Sequence, residues 1–228
     1  MDCTVDLLHQ NTSRQDTTHE RARHLMALPL FERAGTRGWT HRTLKLWVAE
    51  SRKDRTLVSD IVLRRHYLAR RATPPKVLVM SYLGALEGGE GAAVMCQVAL
   101  LPANLKPLLA ALRLHPAETL TLTRLWRSDD LTPEVAPDLT PYTLRQVVRR
   151  LPTDWAERKS ANLAARPRLL VTWADPAVGH DGATYIAAGA VPLGPTRGGK
   201  LLFAWALDPD LREPLRAYAR RLATRASA

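Results

Sequence analysis

The chain has 228 residues, 46% hydrophobic and 24% charged, which is enough apolar content for a buried core and excludes wholesale disorder. Lys and Arg total 33 against 22 Asp and Glu, a net charge of +11, and 27 of the cations are arginine. No window nears the roughly 18 consecutive apolar residues of a membrane span, the polar amino terminus lacks a secretory h-region, and the two cysteines, Cys3 and Cys96, have no metal-ligand spacing, so a reducing cytoplasmic setting is expected. Arginine's planar fork donates two hydrogen bonds at once to phosphates and base edges, so the excess suits a nucleic-acid partner as well as it suits a merely basic surface.

Taken in chain order, residues 20–31 read as a short helix that stops at the glycine-containing stretch 34–38. From 43 to 71 the pattern turns helical: Leu44, Leu46, Trp47 and Val48 precede a charged break, and Leu57, Val58, Ile61, Val62 and Leu68 recur at helical spacing. Pro74 and Pro75 end that helix. Strands follow at 76–83 and 92–101 around a glycine-rich hairpin loop, then a helix at 103–114 and a strand at 119–126. Residues 127–139 read as a loop, and Thr140 with Pro141 as an N-cap and first helical residue ahead of the apolar stripe Leu144, Val147, Val148, Leu151. The near-continuous apolar run 167–174 has the signature of a central strand covered on both faces. A small-residue helix at 183–188, a strand at 200–207 and an arginine-rich C-terminal helix opened by Asp208-Pro209 complete an α/β chain with a mixed sheet.

Chemistry concentrates in residues 169–194. A buried strand ends in Asp175, a glycine-bracketed loop carries His180, and Tyr185 stands one turn into the next helix. Open α/β sheets build sites at the carboxyl ends of their strands, so these three side chains form a candidate catalytic cluster. The same residues also fit a plain Asp-Pro turn with a solvated His180 and a packed Tyr185. His66, Asp175 and His180 are a candidate two-histidine, one-carboxylate set; spacing does not show whether they converge, so a metal ion is an open alternative and is not predicted.

The run Ala174, Asp175, Pro176, Gly179, His180, Gly182, Tyr185, Ala187 resembles the Mom family of phage DNA-modification proteins, offshoots of the GNAT acyltransferase fold. The pair His66-Tyr67 and the strand 122–126 carrying Arg124 fit the same pattern, and the three blocks together span residues 58–203. The resemblance implies an α/β (α+β) GNAT-like domain over 56–228, with a mixed central sheet flanked by helices; residues 1–55, which find no counterpart in it, are read as an N-terminal helical extension. It implies conversion of adenine in double-stranded DNA to N6-carbamoylmethyladenine, which protects the DNA from restriction, in the host cytoplasm if the chain is phage-encoded.

In that reading Asp175 is the general base or amine-orienting group, with His66 second. Tyr185 is an acid or a ligand to the donor thiol, Tyr67 stacks on the extruded base, and Arg124 holds a phosphate or the donor. Acetyl-CoA or a related acyl donor is expected, with Thr140 at its binding helix. The stretch 124–140, however, contains no glycine, unlike the glycine-rich turn by which GNAT enzymes cradle a pyrophosphate. Arg64, Arg65, Arg70, Arg71, Arg197 and Lys200 are the candidate DNA contacts. Segment 1–55 serves as a DNA-binding extension or as the arm of a homodimer. Two other readings stay open: a GNAT-like acyltransferase acting on another amine, and a non-enzymatic DNA-binding accessory. Residues 149–155 and 193–198 are similar to Druantia-type defence and transposon-associated GNAT-like proteins, with which the accessory reading is associated, and the loop at His180 resembles the Mom pattern more closely.

Overall fold

Seven short runs of apolar and β-branched residues form the strands β1 (Leu44–Val48), β2 (Val79–Leu86), β3 (Val94–Ala99), β4 (Thr119–Arg127), β5 (Leu169–Ala174), β6 (Val191–Pro195) and β7 (Leu201–Ala206). The computed structural model describes residues 44–66, 78–87, 92–100, 105–131, 136–159 and 166–226. The strands make one sheet in the order β1-β2-β3-β4-β5-β7-β6. All pairings are antiparallel except β4 with β5. Parallel neighbours need a crossover, supplied here by α3 (Ala136–Lys159). The other helices are α1 (Arg52–Asp60), α2 (Lys106–Leu112), α4 (Ala183–Ala187) and α5 (Arg212–Ala226). The expected mixed central sheet flanked by helices is therefore present.

One face of the sheet is covered by α3. Its Leu139, Leu144, Val147, Leu151 and Trp155 are at most 2% exposed and pack on Tyr82, Cys96, Leu120, Leu170, Phe203 and Trp205. Burying each such side chain stabilises by about 1.5–3 kcal/mol relative to leaving it in water. The opposite face is shared. Val58, Ile61 and Val62, from α1 and the turn after it, pack on Leu83, Met95 and Trp126. Leu108, Leu109 and Leu112 of α2 and Leu215 of α5 pack on Leu169, Val171, Leu193 and Ala204.

Polar ties fasten α3 to the outer strand. Asp154, 6% exposed, takes Arg150 at 3.2 Å and Arg158 at 3.2 Å. Arg150 also donates to the Leu46 carbonyl at 2.8 Å and Arg158 pairs with Glu50 at 2.6 Å, so β1 is held from outside the ladder.

Three sequence expectations are corrected. Residues 44–48 are a strand, because Leu44, Leu46 and Val48 face the α3 core while Trp47 faces the α1 core, an alternation of period two. This strand belongs to the sheet although it precedes residue 56. α3 begins at Ala136, so Thr140 is not its N-cap but lies within it, buried at 7%. β6 was not anticipated, since Pro192 and Pro195 argue against a strand; it is an edge strand, where proline is tolerated. The expected helix at 20–31 and the residues Tyr67, Arg70 and Arg71 lie outside the described residues. No described helix is long and apolar enough to cross a membrane.

Candidate functional site

The parallel pair β4–β5 is a ladder for only three residues, Thr119–Thr121 against Leu169–Val171. Its near end is pinned. Arg168 bonds its backbone N–H to the Glu118 carbonyl at 2.8 Å, and its guanidinium takes Asp208 at 2.7 Å and Glu118 at 3.5 Å. Past Val171 the ladder gives way to a side-chain bond, the Thr172 hydroxyl donating to the Leu122 carbonyl at 3.1 Å. Beyond it the strands part around a cleft of about 370 Å³. His66, Arg124, Thr140, Thr172, His180 and Tyr185 are among the side chains that line it.

A bulge aims Arg124. The β3–β4 register shifts so that Leu122 opposes Val98 and Arg124 opposes Gln97, leaving Thr123 as an extra residue on β4. Strict alternation would put Arg124 on the α3 face with Leu120 and Leu122. The extra residue reverses the order: Leu125 joins Leu120 and Leu122 in the α3 core, and Trp126 joins the α1 core. Arg124 turns with Trp126 towards α1. It is 6% exposed, and its Nη1 donates to the Thr123 carbonyl at 2.7 Å.

His66 arrives on that same side. Ser51 caps α1 by accepting from the Asp54 N–H at 3.0 Å, and the helix runs on into a wider π-turn, Ile61–Arg65. His66 then leaves in extended conformation, its N–H on the Ile61 carbonyl at 2.8 Å. π-turns recur where a helix must re-aim a functional side chain. At 5% exposure the imidazole is pushed down to about 4, first by burial and then by the charges of Arg124 and His180. A hydrogen bond to the Leu125 backbone opposes the shift, which identifies the imidazole as its donor. His66 is therefore neutral at physiological pH, with one ring nitrogen anchored as N–H and the other an acceptor.

On the other lip, residues 179–185 form a rigid loop and helix start. Gly179 and Gly182 have φ of +79° and +86°. A Cβ at Gly182 would run into the Phe203 ring, so the backbone passes closer to that ring than any other residue allows. Asp181, just before the N-cap Gly182, accepts from Ala183 N–H at 2.9 Å. Tyr185 packs on Phe203 and Trp205, at centroid distances of 5.4 and 5.9 Å, while lining the cleft.

Of the residues singled out in the sequence, His66, Arg124, Thr140, His180 and Tyr185 meet at this cleft. Asp175 stands apart from its lining. The Asp175 carboxylate accepts from Ala177 N–H at 3.2 Å, capping the turn Pro176–Val178, and pairs with Lys200 at 3.3 Å. Arg64 and Arg65 both reach Asp60, at 3.2 and 3.0 Å, and Arg197 is exposed in the β6–β7 turn. Among the described residues no three His, Cys, Asp or Glu side chains could hold a metal ion, so the set His66, Asp175, His180 does not converge. Sequence reasoning passed over Thr172, Arg127 and Asp129, which also line the cleft. Thr172 was signalled by being the one hydroxyl in an apolar strand, Leu169–Ala174.

The first turn of α3 does not fit a coenzyme A pyrophosphate. Pro137 removes one of the free N–H groups of that turn, and Asp138 adds negative charge there.

No protein-family model and no curated protein matches the chain. Among solved structures it is similar to the aminoglycoside acetyltransferase AAC(6')-Ib in complex with coenzyme A and kanamycin. That likeness is 12% identity over 77% of this chain and 98% of that one, with a TM-score of 0.42. It is also similar to RimL, a ribosomal L7/L12 alpha-N-protein acetyltransferase in apo form, at 15% identity over 74% of this chain and 96% of that one, TM-score 0.40.

Proposed function

We propose that this chain is a divergent GNAT-like transferase of the Mom type, which adds a carbamoylmethyl group to the N6 amine of adenine in duplex DNA. The observation that carries the reading is convergence: the three stretches on which the resemblance rests, at His66, at Arg124 and at residues 179–185, line one cleft.

The adenine N6 lone pair is delocalised into the ring and is a poor nucleophile. As it bonds to the donor carbon, the bond from that carbon to its leaving group breaks and the leaving group keeps the electron pair. The nitrogen then carries a positive charge and is strongly acidic, so a weak, neutral base is sufficient to take its proton. The acceptor nitrogen of His66 meets that need and stays unprotonated at physiological pH. Its proton passes to solvent by way of His180 at the exposed mouth. Tyr185, half-buried in the cleft wall, donates to the leaving group.

Asp175 acts here as a positioning residue, because it caps the turn that carries the His180 loop. Arg124 orients an anionic group of the donor, a glycine-derived species whose methylene carbon carries the leaving group, and no step runs through a coenzyme A pyrophosphate. Tyr67 stacks on the extruded base. Arg64, Arg65, Arg70, Arg71, Arg197 and Lys200 supply phosphate contacts.

The test is to digest DNA from cells expressing wild type, His66→Gln or Asp175→Asn to nucleosides and to search for modified deoxyadenosine by mass spectrometry. The adduct is expected in wild type, absent in His66→Gln and reduced in Asp175→Asn. Unmodified nucleosides from cells with folded wild-type protein would refute the reading.

A further inference from the structure

Among the described residues the exposed large hydrophobic side chains are Leu63, Val178 and Ile186, at 41%, 51% and 54%. Isolated exposed aliphatics are ordinary and need no explanation. All three, however, are close in sequence to residues that line the cleft. Val178 immediately precedes the lining residue Gly179 and Ile186 immediately follows Tyr185, while Leu63 lies in the π-turn leading to His66 on the other lip.

The segment bearing Val178 and Ile186 is fixed at both ends. Asp175 caps the turn before it, Asp181 accepts from the Ala183 N–H within it, and Gly182 is set against Phe203. The two aliphatic side chains therefore project from a rigid base and lose little backbone freedom when something meets them. Exposed cations lie on the cleft and on neighbouring stretches: Arg127 lines the cleft, Lys200 reaches Asp175 three residues before Val178, and Arg197 is exposed in the β6–β7 turn.

A protein partner with an apolar face calls for a contiguous apolar patch. Single aliphatics next to a cleft that Arg127 lines, on a chain of net charge +11, suit a polyanion with an apolar interior, which is the base stack of duplex DNA inside its phosphate rails. We propose that Val178 and Ile186 are an apolar wedge that enters the stack beside the target adenine and fills the space the base leaves as it turns into the cleft. This rests on the DNA reading above and adds to it the device that opens the duplex.

The test uses the full chain and a duplex carrying 2-aminopurine beside the target adenine, whose emission rises on unstacking. Wild type is expected to bind and raise the emission several-fold. The double variant Val178→Ser/Ile186→Ser, with its fold checked by circular dichroism, is expected to bind within a few-fold of wild type without raising it. It should modify paired DNA poorly and recover the wild-type rate on a duplex whose adenine lies opposite an abasic site, where nothing has to be opened.

A double variant that unstacks and modifies paired DNA like wild type overturns the wedge and leaves the DNA reading standing. So does a variant that fails on paired and pre-opened duplexes alike, or one whose main change is from dimer to monomer. A wild-type chain that binds no duplex DNA overturns the DNA reading itself, and the wedge with it.

Discussion

The neutral state of His66 can be tested through stability. An imidazole in the unfolded chain titrates near 6.5, whereas in the fold it is pushed down to about 4, with burial as the leading cause. Between those values the unfolded state binds a proton that the folded state refuses, so the folded state loses stability as the pH falls through the window. The contribution is fully present above the unfolded value and has gone once the pH drops below the folded one. Over the whole window the loss from this one group is about 3 kcal/mol, and from about pH 7 to about pH 5, before most carboxylates titrate, it is about 2 kcal/mol. The assay is urea unfolding of wild type and His66→Gln at those two pH values, with the difference between the two proteins isolating His66 from the other histidines. The variant is expected to lose about 2 kcal/mol less than wild type on acidification. Proton-detected titration of the His66 ring in the folded protein should show no protonation in that range. A midpoint near 6.5, or identical acid sensitivity in the two proteins, would refute both the burial argument and the assignment of a neutral base.

Three other outcomes follow from packing. Gly182→Ala combines a left-handed backbone with a Cβ driven into the Phe203 ring and should cost about 3 kcal/mol or more, read as a lowered urea midpoint. Asp154→Ala removes the acceptor shared by Arg150 and Arg158 and should cost about 2 kcal/mol by the same measurement, with the loss smaller in an Arg150→Ala background because the two residues share a network. Burial pushes the Cys96 thiol up to about 12. In a Cys3→Ser background it should react with a thiol reagent at mildly alkaline pH no faster than the protein unfolds, and prompt labelling of folded protein would contradict its burial.

Local patterns carried the sequence reading where local forces decide. The apolar run before Asp175 and the stripe Leu144, Val147, Leu151 are set by burial alone; β5 appears as read, and the stripe is buried as read although α3 starts earlier than expected, at Ala136. Residues 44–48 failed because five residues with apolar side chains at 44, 46, 47 and 48 satisfy a short stretch of either period, and only pairing with β2 decides between them. Asp175 shows a different limit. A carboxylate at a strand end followed by proline serves equally as a turn cap or as a base, and what separates the two is whether Ala177 N–H and Lys200 already engage it. The convergence of His66 with His180 depends on a parallel ladder that stops after three residue pairs, a long-range property that no window of sequence contains.

The extra residue Thr123 decides which face of the sheet receives Arg124, and with it how far the His66 titration moves. Burial heads the causes of that shift, Arg124 follows and His180 comes third. Removing the guanidinium while keeping the volume, as in Arg124→Met, should therefore raise the His66 midpoint without returning it to 6.5, because the desolvating walls remain. His180→Ala should move it less, since that ring is exposed and solvent screens its charge. The two variants, followed by ring titration, order the contributions directly. If Arg124→Met restored an ordinary midpoint, charge rather than burial would govern the group. If it moved nothing, Arg124 would not face His66, and the reversal of alternation at Thr123 would have no bearing on the site.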